Sequence, residues 1–275
     1  MKLILDSASN IRKENGFDCE VVPLTIRTEE KEYVDDENLD VLDMVKDMEE
    51  TNGRSRTSCP NINAYLKAIG KAKDAIIVTI ASKISGSFNS ANSAAGIYEE
   101  ENEGANVCVL DSNGVGPIQK LITEKFFECE KKGMNVKDTF KALSDYSRDH
   151  LKIGYCLKSL KNLANNGRIN PVIAKFASAI GIRIAGIFSD FGELQPTHKA
   201  RGDKRALESL IQDMKERGYK GGKVIIDHCD GASFAIALRE KIIEEFKNAN
   251  VKIGITTGLC SFYAERGGVI LGYEV

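Results

Sequence analysis

The 275-residue chain has no tryptophan, and aromatic residues make up 7% of it. A surface that stacks nucleobases is therefore not expected. It also lacks an excess of either charge: the formal net charge is −2, with acids and bases interspersed, which speaks against a nucleic-acid partner. No run approaches the roughly 20 apolar residues needed to span a bilayer. The opening Met1-Lys2-Leu3-Ile4-Leu5-Asp6 meets an acid too soon for a signal-peptide core. The expectation is a cytoplasmic protein without stable membrane insertion. Among the seven cysteines no pair has the C-x-x-C spacing of a zinc or redox site. Several sit in apolar runs such as Val107-Cys108-Val109 and Tyr155-Cys156-Leu157, where a reduced thiol behaves as a small hydrophobe. No Walker pattern is present: before Gly222-Lys223, Arg217 stands where the first glycine belongs, and Val224 follows the lysine. His150, His198 and His228 show no ligand spacing, so neither a metal nor a cofactor is expected.

What is present is the balance of an ordinary globular protein, with 42% apolar and 28% charged residues, at a length that admits two domains. Short continuous apolar runs recur, among them Leu3-Ile4-Leu5, Ala75 to Ile80, Val107 to Leu110 and Val224-Ile225-Ile226. Such runs suit parallel strands covered on both faces. Helical stripes alternate with them: Ile62, Tyr65, Leu66 and Ile69; Ile118, Leu121, Ile122 and Phe126; Leu238, Ile242 and Phe246. Alternation of this kind predicts βαβ units. Beyond a polar helix over 136–150, an Ala-rich helix is expected near 170–180. Two strands around Ser189-Asp190-Phe191-Gly192 read as a hairpin. The expected fold is α/β in two domains. Residues 1–150 would form a Rossmann-like doubly wound parallel sheet, and residues 151–275 an α+β domain.

The strand-like runs end in Asp6-Ser7, Ser82 to Ser87, Asp111-Ser112 and Asp227-His228. Each suits a helix cap; together they also suit a polar crevice at the carboxyl edge of a parallel sheet. In Ser85-Gly86-Ser87, ahead of a helix faced by Ala91, Ala94 and Ala95, free backbone N–H groups would favour a carboxylate or a single phosphate. A capped helix with a tight turn explains the same residues. In Arg54-Ser55-Arg56-Thr57-Ser58-Cys59-Pro60, spacing favours Thr57 or Ser58 as the cap of a helix begun by Pro60, although a hydroxyl there could reach a carboxylate. Arg168, after Asn165-Asn166-Gly167, and the run Lys199 to Arg205, which includes Arg201, fit either a solvated helix start or a clamp for anions or a partner. Asp227-His228-Cys229-Asp230 reads as a capping cluster.

These segments, in order, resemble the DegV family over nearly the whole chain. They are Asp6-Ser7; Val22-Pro23-Leu24-Thr25 with Lys31-Glu32-Tyr33; Thr57-Ser58-Cys59-Pro60; Ser82 to Ser87; Leu110-Asp111-Ser112; Leu163 to Ile169; and Gly192-Glu193-Leu194 leading to Lys199-Ala200-Arg201. The resemblance implies a long-chain fatty acid held without a covalent bond between the two domains, in a protein that is not itself an enzyme. It implies that Thr57 and Ser85, with Gly86, hold the carboxylate. Some relatives present that carboxylate to a separate ATP-dependent kinase subunit, in which case Arg201 would face the partner or its phosphate, with Arg168 a second candidate for that contact. The chain departs from the family where relatives carry a C-terminal histidine in a Gly-x-His-x-Gly-Pro-Gly stretch: here Cys260 stands in Gly258-Leu259-Cys260-Ser261. A different reading, an enzyme acting on a small carboxylated or phosphorylated metabolite, would use Asp6, Asp111 or His228 as acid or base.

Overall fold

The apolar runs become strands of two separate sheets in a computed structural model that describes residues 1–12, 16, 18–50, 55–170 and 181–275. The first sheet contains β1 (Lys2–Asp6), β2 (Glu20–Val22), β6 (Asp74–Thr79) and β7 (Asn106–Asp111), in the order β2-β1-β6-β7. All its pairings are parallel, with Ile4 opposite both Glu20 and Ile77. Its strands are apolar on both faces because both faces are covered. Ile4 and Ile77 pack against Tyr65, Ile69, Ala91 and Ala94 from α2 (Ile62–Ile69) and α3 (Ser87–Glu101). Leu3, Leu5, Ile76 and Val78 turn the other way, toward Leu121, Phe126 and Leu143 of α4 (Pro117–Lys131) and α5 (Val136–His150). Helices on both faces of a parallel sheet make this the doubly wound arrangement expected.

The second sheet draws all six of its strands from the chain after residue 150: β8 (Leu151–Leu157), β9 (Ile182–Phe188), β10 (Leu194–Arg201), β11 (Gly222–His228), β12 (Ala249–Ile255) and β13 (Val269–Glu274), ordered β10-β9-β8-β13-β11-β12. Only β11 and β12 pair in parallel; the other neighbours are antiparallel. The hairpin foreseen around residues 189–192 joins β9 to β10, with a register shift between Pro196 and His198. One face is covered by Leu210, Met214, Phe234 and Leu238 from α7 (Asp203–Glu216) and α8 (Ala232–Glu245). The other face joins the same apolar cluster as the first sheet, through Ile153, Tyr155, Ile225 and Ile270. The start of α4 lies hard against β13, where a Cβ on Gly272 would come within 2.9 Å of Pro117, so only glycine admits this approach. We propose residue 150, where α5 gives way to β8, as the boundary between two domains that share one apolar seam.

A small antiparallel sheet, β4-β3-β5, is built from β3 (Thr25–Arg27), β4 (Glu32–Val34) and β5 (Arg56–Ser58). Two short helices complete what the site needs, α6 (Lys161–Asn165) and α9 (Gly258–Ala264); α1 (Val41–Glu50) lies nearby on the surface. The expected Ala-rich helix falls on residues 171–180, and Arg54 on 51–54; both lie outside the described residues.

Candidate functional site

Thr57 is placed by a strand, not by a helix start. It lies on β5 opposite Ile26 of β3, a fully buried residue, and the following helix α2 is capped by Asn61, whose side chain accepts from the Ala64 N–H. The expected cap at Thr57 or Ser58 is thus corrected. Spacing misled because Asn61, four residues along, sits directly before the first helical residue and meets the same need. Freed from capping, the Thr57 hydroxyl shares a hydrogen bond of 2.7 Å with the phenol of Tyr263 on α9.

Ser85 and Gly86 occupy the turn between β6 and α3. The Ser87 N–H donates to Ser85 Oγ at 3.2 Å, and Gly86 stands at the cap position with no side-chain cap bond. The helix N-terminus therefore offers N–H groups and a positive dipole end toward the turn. The end of β5 and this turn abut: a Cβ on Gly86 would lie 3.0 Å from Cys59 Sγ. Arg168, which follows α6, closes the third side. Its Nε donates to the Ile84 carbonyl at 3.1 Å and its Nη1 to the Asn166 carbonyl.

Thr57, Ser85, Gly86, Arg168 and Tyr263 line one cavity of about 240 Å³ between the two sheets. The rest of its wall is mostly apolar, including Leu24, Ile80, Val115, Leu157, Phe188 and Ile270. The hydroxyls of Thr57, Ser85 and Tyr263 and the Arg168 guanidinium, against such a wall, can hold an anionic head and shelter an aliphatic tail. Arg201, at the exposed end of β10, is not one of the lining residues. Sequence reasoning missed Tyr263 as a site residue. It lies in the C-terminal segment where the chain departs from the family pattern, and only the fold brings it to Thr57. Burial raises the Tyr263 pKa, partly offset by the bond to Thr57 and by Arg168, so its phenol is neutral and available as a donor.

The strand-end acids do other work than capping. Asp6 accepts from the Ile80 N–H at 2.9 Å and from Gln119 Nε2 at 3.0 Å, fixing the start of the loop that carries Ser85. Its complete burial pushes its pKa up to about 6 despite these bonds. Asp111 accepts from the Ser82 N–H and steadies the same loop from β7. Asp227 is buried beneath Lys120 Nζ, at 2.7 Å, and Asn10 Nδ2, at 2.8 Å, a tie between β11 and α4 and not a cap. His228 keeps the expected role in part, since its Nδ1 accepts from the N–H of Gly231, the residue before α8. None of Asp6, Asp111 and His228 is among the described residues that line the cavity. Cys260 does line it, on α9, with its thiol donating to the Ala8 carbonyl at 3.3 Å. Burial, with Asp35 adding to it, drives that thiol's pKa far up, so the thiol stays neutral and cannot supply the charge of an imidazolium. Among the described residues no group of three or more His, Cys, Asp or Glu is placed to hold a metal ion, and no helix is long and apolar enough to cross a membrane.

Comparison with known proteins places these features in company. A family model described as "Uncharacterised protein, DegV family" matches residues 1–274. A DegV domain-containing protein of Streptococcus pneumoniae is 35% identical over 254 residues, covering 92% of this chain and 90% of its own. A crystal structure of a DegV family protein from Eubacterium eligens, loaded with heptadecanoic acid, superposes with a TM-score of 0.96 at 38% identity, over 100% of this chain and 99% of that one. The Fatty Acid Kinase (Fak) B3 protein of Streptococcus pneumoniae, loaded with linoleic acid, superposes with a TM-score of 0.95 at 34% identity, over 100% and 99% of the two chains.

Proposed function

The chain belongs to the DegV family, and on that footing we propose that it binds a long-chain fatty acid non-covalently. The carboxylate rests against Thr57, Ser85 and Gly86, and the tail lies in the apolar cavity between the sheets. The observation that carries this reading is the convergence of two hydroxyls, Thr57 on β5 and Ser85 in the turn between β6 and α3, on the wall of one largely apolar cavity. The physics is sufficient without a covalent bond. At about 0.8 kcal/mol for each buried CH₂, a 16-carbon tail contributes roughly 10 kcal/mol before association and ordering costs.

The fatty acids in the two similar structures support the ligand class, and the kinase named for one of them supports a finer reading. The protein is a cytoplasmic, non-catalytic carrier that presents its carboxylate to a separate ATP-dependent kinase subunit. Arg201 faces that partner, and Arg168 sits between ligand and partner. The test is native mass spectrometry of the protein purified from cells, followed by denaturing extraction. A stoichiometric long-chain fatty acid is the expected result. A ligand-free mass that stays unchanged after fatty acids are added would overturn the reading.

A further inference from the structure

Tyr155 is 1% exposed, yet its hydroxyl has no hydrogen-bond partner among the described residues. It stands on β8 opposite Gly186 of β9, and its phenol end lies directly over that glycine. A Cβ on Gly186 would meet the Tyr155 hydroxyl at 2.3 Å, so the glycine is what makes room for the group. The ring is fixed edge-on to Phe188, with centroids 6.1 Å apart, and both rings line the cavity. The phenols of Tyr65 and Tyr273 are also unpartnered, but neither residue lines the cavity. Of these three tyrosines with an unmet hydroxyl, Tyr155 is therefore the one whose side chain also lines the cavity.

A buried hydroxyl left unpaired costs about 1–3 kcal/mol, and a phenylalanine would fill the same space without that cost. Burial raises the Tyr155 pKa, with Asp213 adding to it, so the group is a neutral phenol able both to donate and to accept. A plain aliphatic tail offers it neither. An oxygen on the chain offers both or one, according to its kind. The hydroxyls of Thr57 and Ser85 come from β5 and from the turn between β6 and α3, whereas Tyr155 comes from the second sheet and lines the cavity with Phe188 and Leu194. One ligand can therefore meet the first pair with its carboxylate and Tyr155 with another atom.

Resting on the fatty-acid reading above, we propose that Tyr155 determines specificity, and that the cavity accepts long-chain fatty acids bearing a hydroxyl or keto oxygen on the chain, which pairs with the Tyr155 hydroxyl. The test is displacement of a bound fluorescent fatty acid by stearic acid and by positional isomers of hydroxystearic acid, in the wild type and in Tyr155→Phe, after thermal melts have shown both folded. The readout is the affinity of each isomer relative to stearic acid in the same protein. At least one isomer is expected to bind the wild type as well as stearic acid does, and its relative affinity is expected to fall about tenfold in Tyr155→Phe, as for loss of one buried hydrogen bond. If stearic acid binds but every isomer's relative affinity is the same in the two proteins, this inference is overturned and the carrier reading stands. If neither stearic acid nor any isomer binds the wild type, the carrier reading fails and this one falls with it.

Discussion

The Thr57 hydroxyl illustrates what a single residue contributes to the proposed site, because its hydrogen bond with Tyr263 fixes its position. A hydrogen bond to a charged acceptor contributes about 1.5–3 kcal/mol, so Thr57→Ala and Ser85→Ala should each weaken fatty-acid binding by roughly 10- to 100-fold. Fluorescent displacement measures this. Undiminished affinity in the double variant would remove the carboxylate from these loops. Asp6 gives a different single-residue prediction, on stability. Its folded pKa of about 6 lies above the ordinary 3.8, so between those values the folded chain holds a proton that the unfolded chain has released. Stability attributable to this carboxyl is therefore greatest at low pH, declines as pH rises from about 4 to about 6, and is level above that. Asn cannot ionise, so the melting temperature of Asp6→Asn relative to wild type should climb across that window and then flatten. A difference that does not change with pH would show an unperturbed carboxyl.

At the scale of elements, the short helix α9 carries Cys260 and Tyr263 to the cavity and begins at a carboxylate from elsewhere in the chain. Asp35, fully buried, accepts from the N–H groups of Gly258 at 2.8 Å and Leu259 at 2.9 Å, and pairs with Arg12 at 2.8 Å. A seven-residue helix has little stability of its own, so its position depends on this anchor. Asp35→Ala leaves Arg12 and two N–H groups without the carboxylate, a loss of about 3–5 kcal/mol. By calorimetry the melting point should fall by roughly 10 °C, with faster release of bound fatty acid, since Tyr263 moves with the helix. A shift of under about 2 °C would mean that α9 is held by packing alone. This anchor also marks the limit of what the sequence discloses. Strands β1, β6, β7 and β11, the β9–β10 hairpin and helices α2 to α5 and α8 were legible, because continuous apolar runs, turn residues and 3.6-residue stripes are local signals, whereas β2, β8, β12 and β13 were not foreseen. Asp35 carries no local signal, nor does Tyr263, and the strand-end acids look like caps until the loops they bind are seen. Thr57 was found through family resemblance, where spacing alone pointed to a cap.

Across the whole molecule, the ligand site and the proposed partner site separate. The cavity takes its wall from both sheets, so a bound tail replaces empty space along the seam and should stabilise the two domains together. At a ligand concentration 100 times Kd this amounts to about 2.7 kcal/mol, so delipidation should lower the melting temperature and reduce amide protection on both sides of the seam, in the first-domain strands as well as in β8 and β9. Arg201 is exposed at the far end of β10 and outside the cavity wall, so its contribution belongs to a different equilibrium. Arg201→Glu reverses a charge where the proposed ATP-bearing partner would approach and leaves the cavity wall intact. The expected outcome is an unaltered fatty-acid content after purification but at least a tenfold loss of acyl phosphate formed with a kinase subunit, since like charges placed opposite each other cost several kcal/mol. Acyl phosphate formed at the wild-type rate would place the partner's approach elsewhere. No acyl phosphate from the wild type itself would point to the segment where Cys260, a neutral thiol, stands in place of the imidazole the family resemblance leads one to expect, and Cys260→His would then be the variant to regain it.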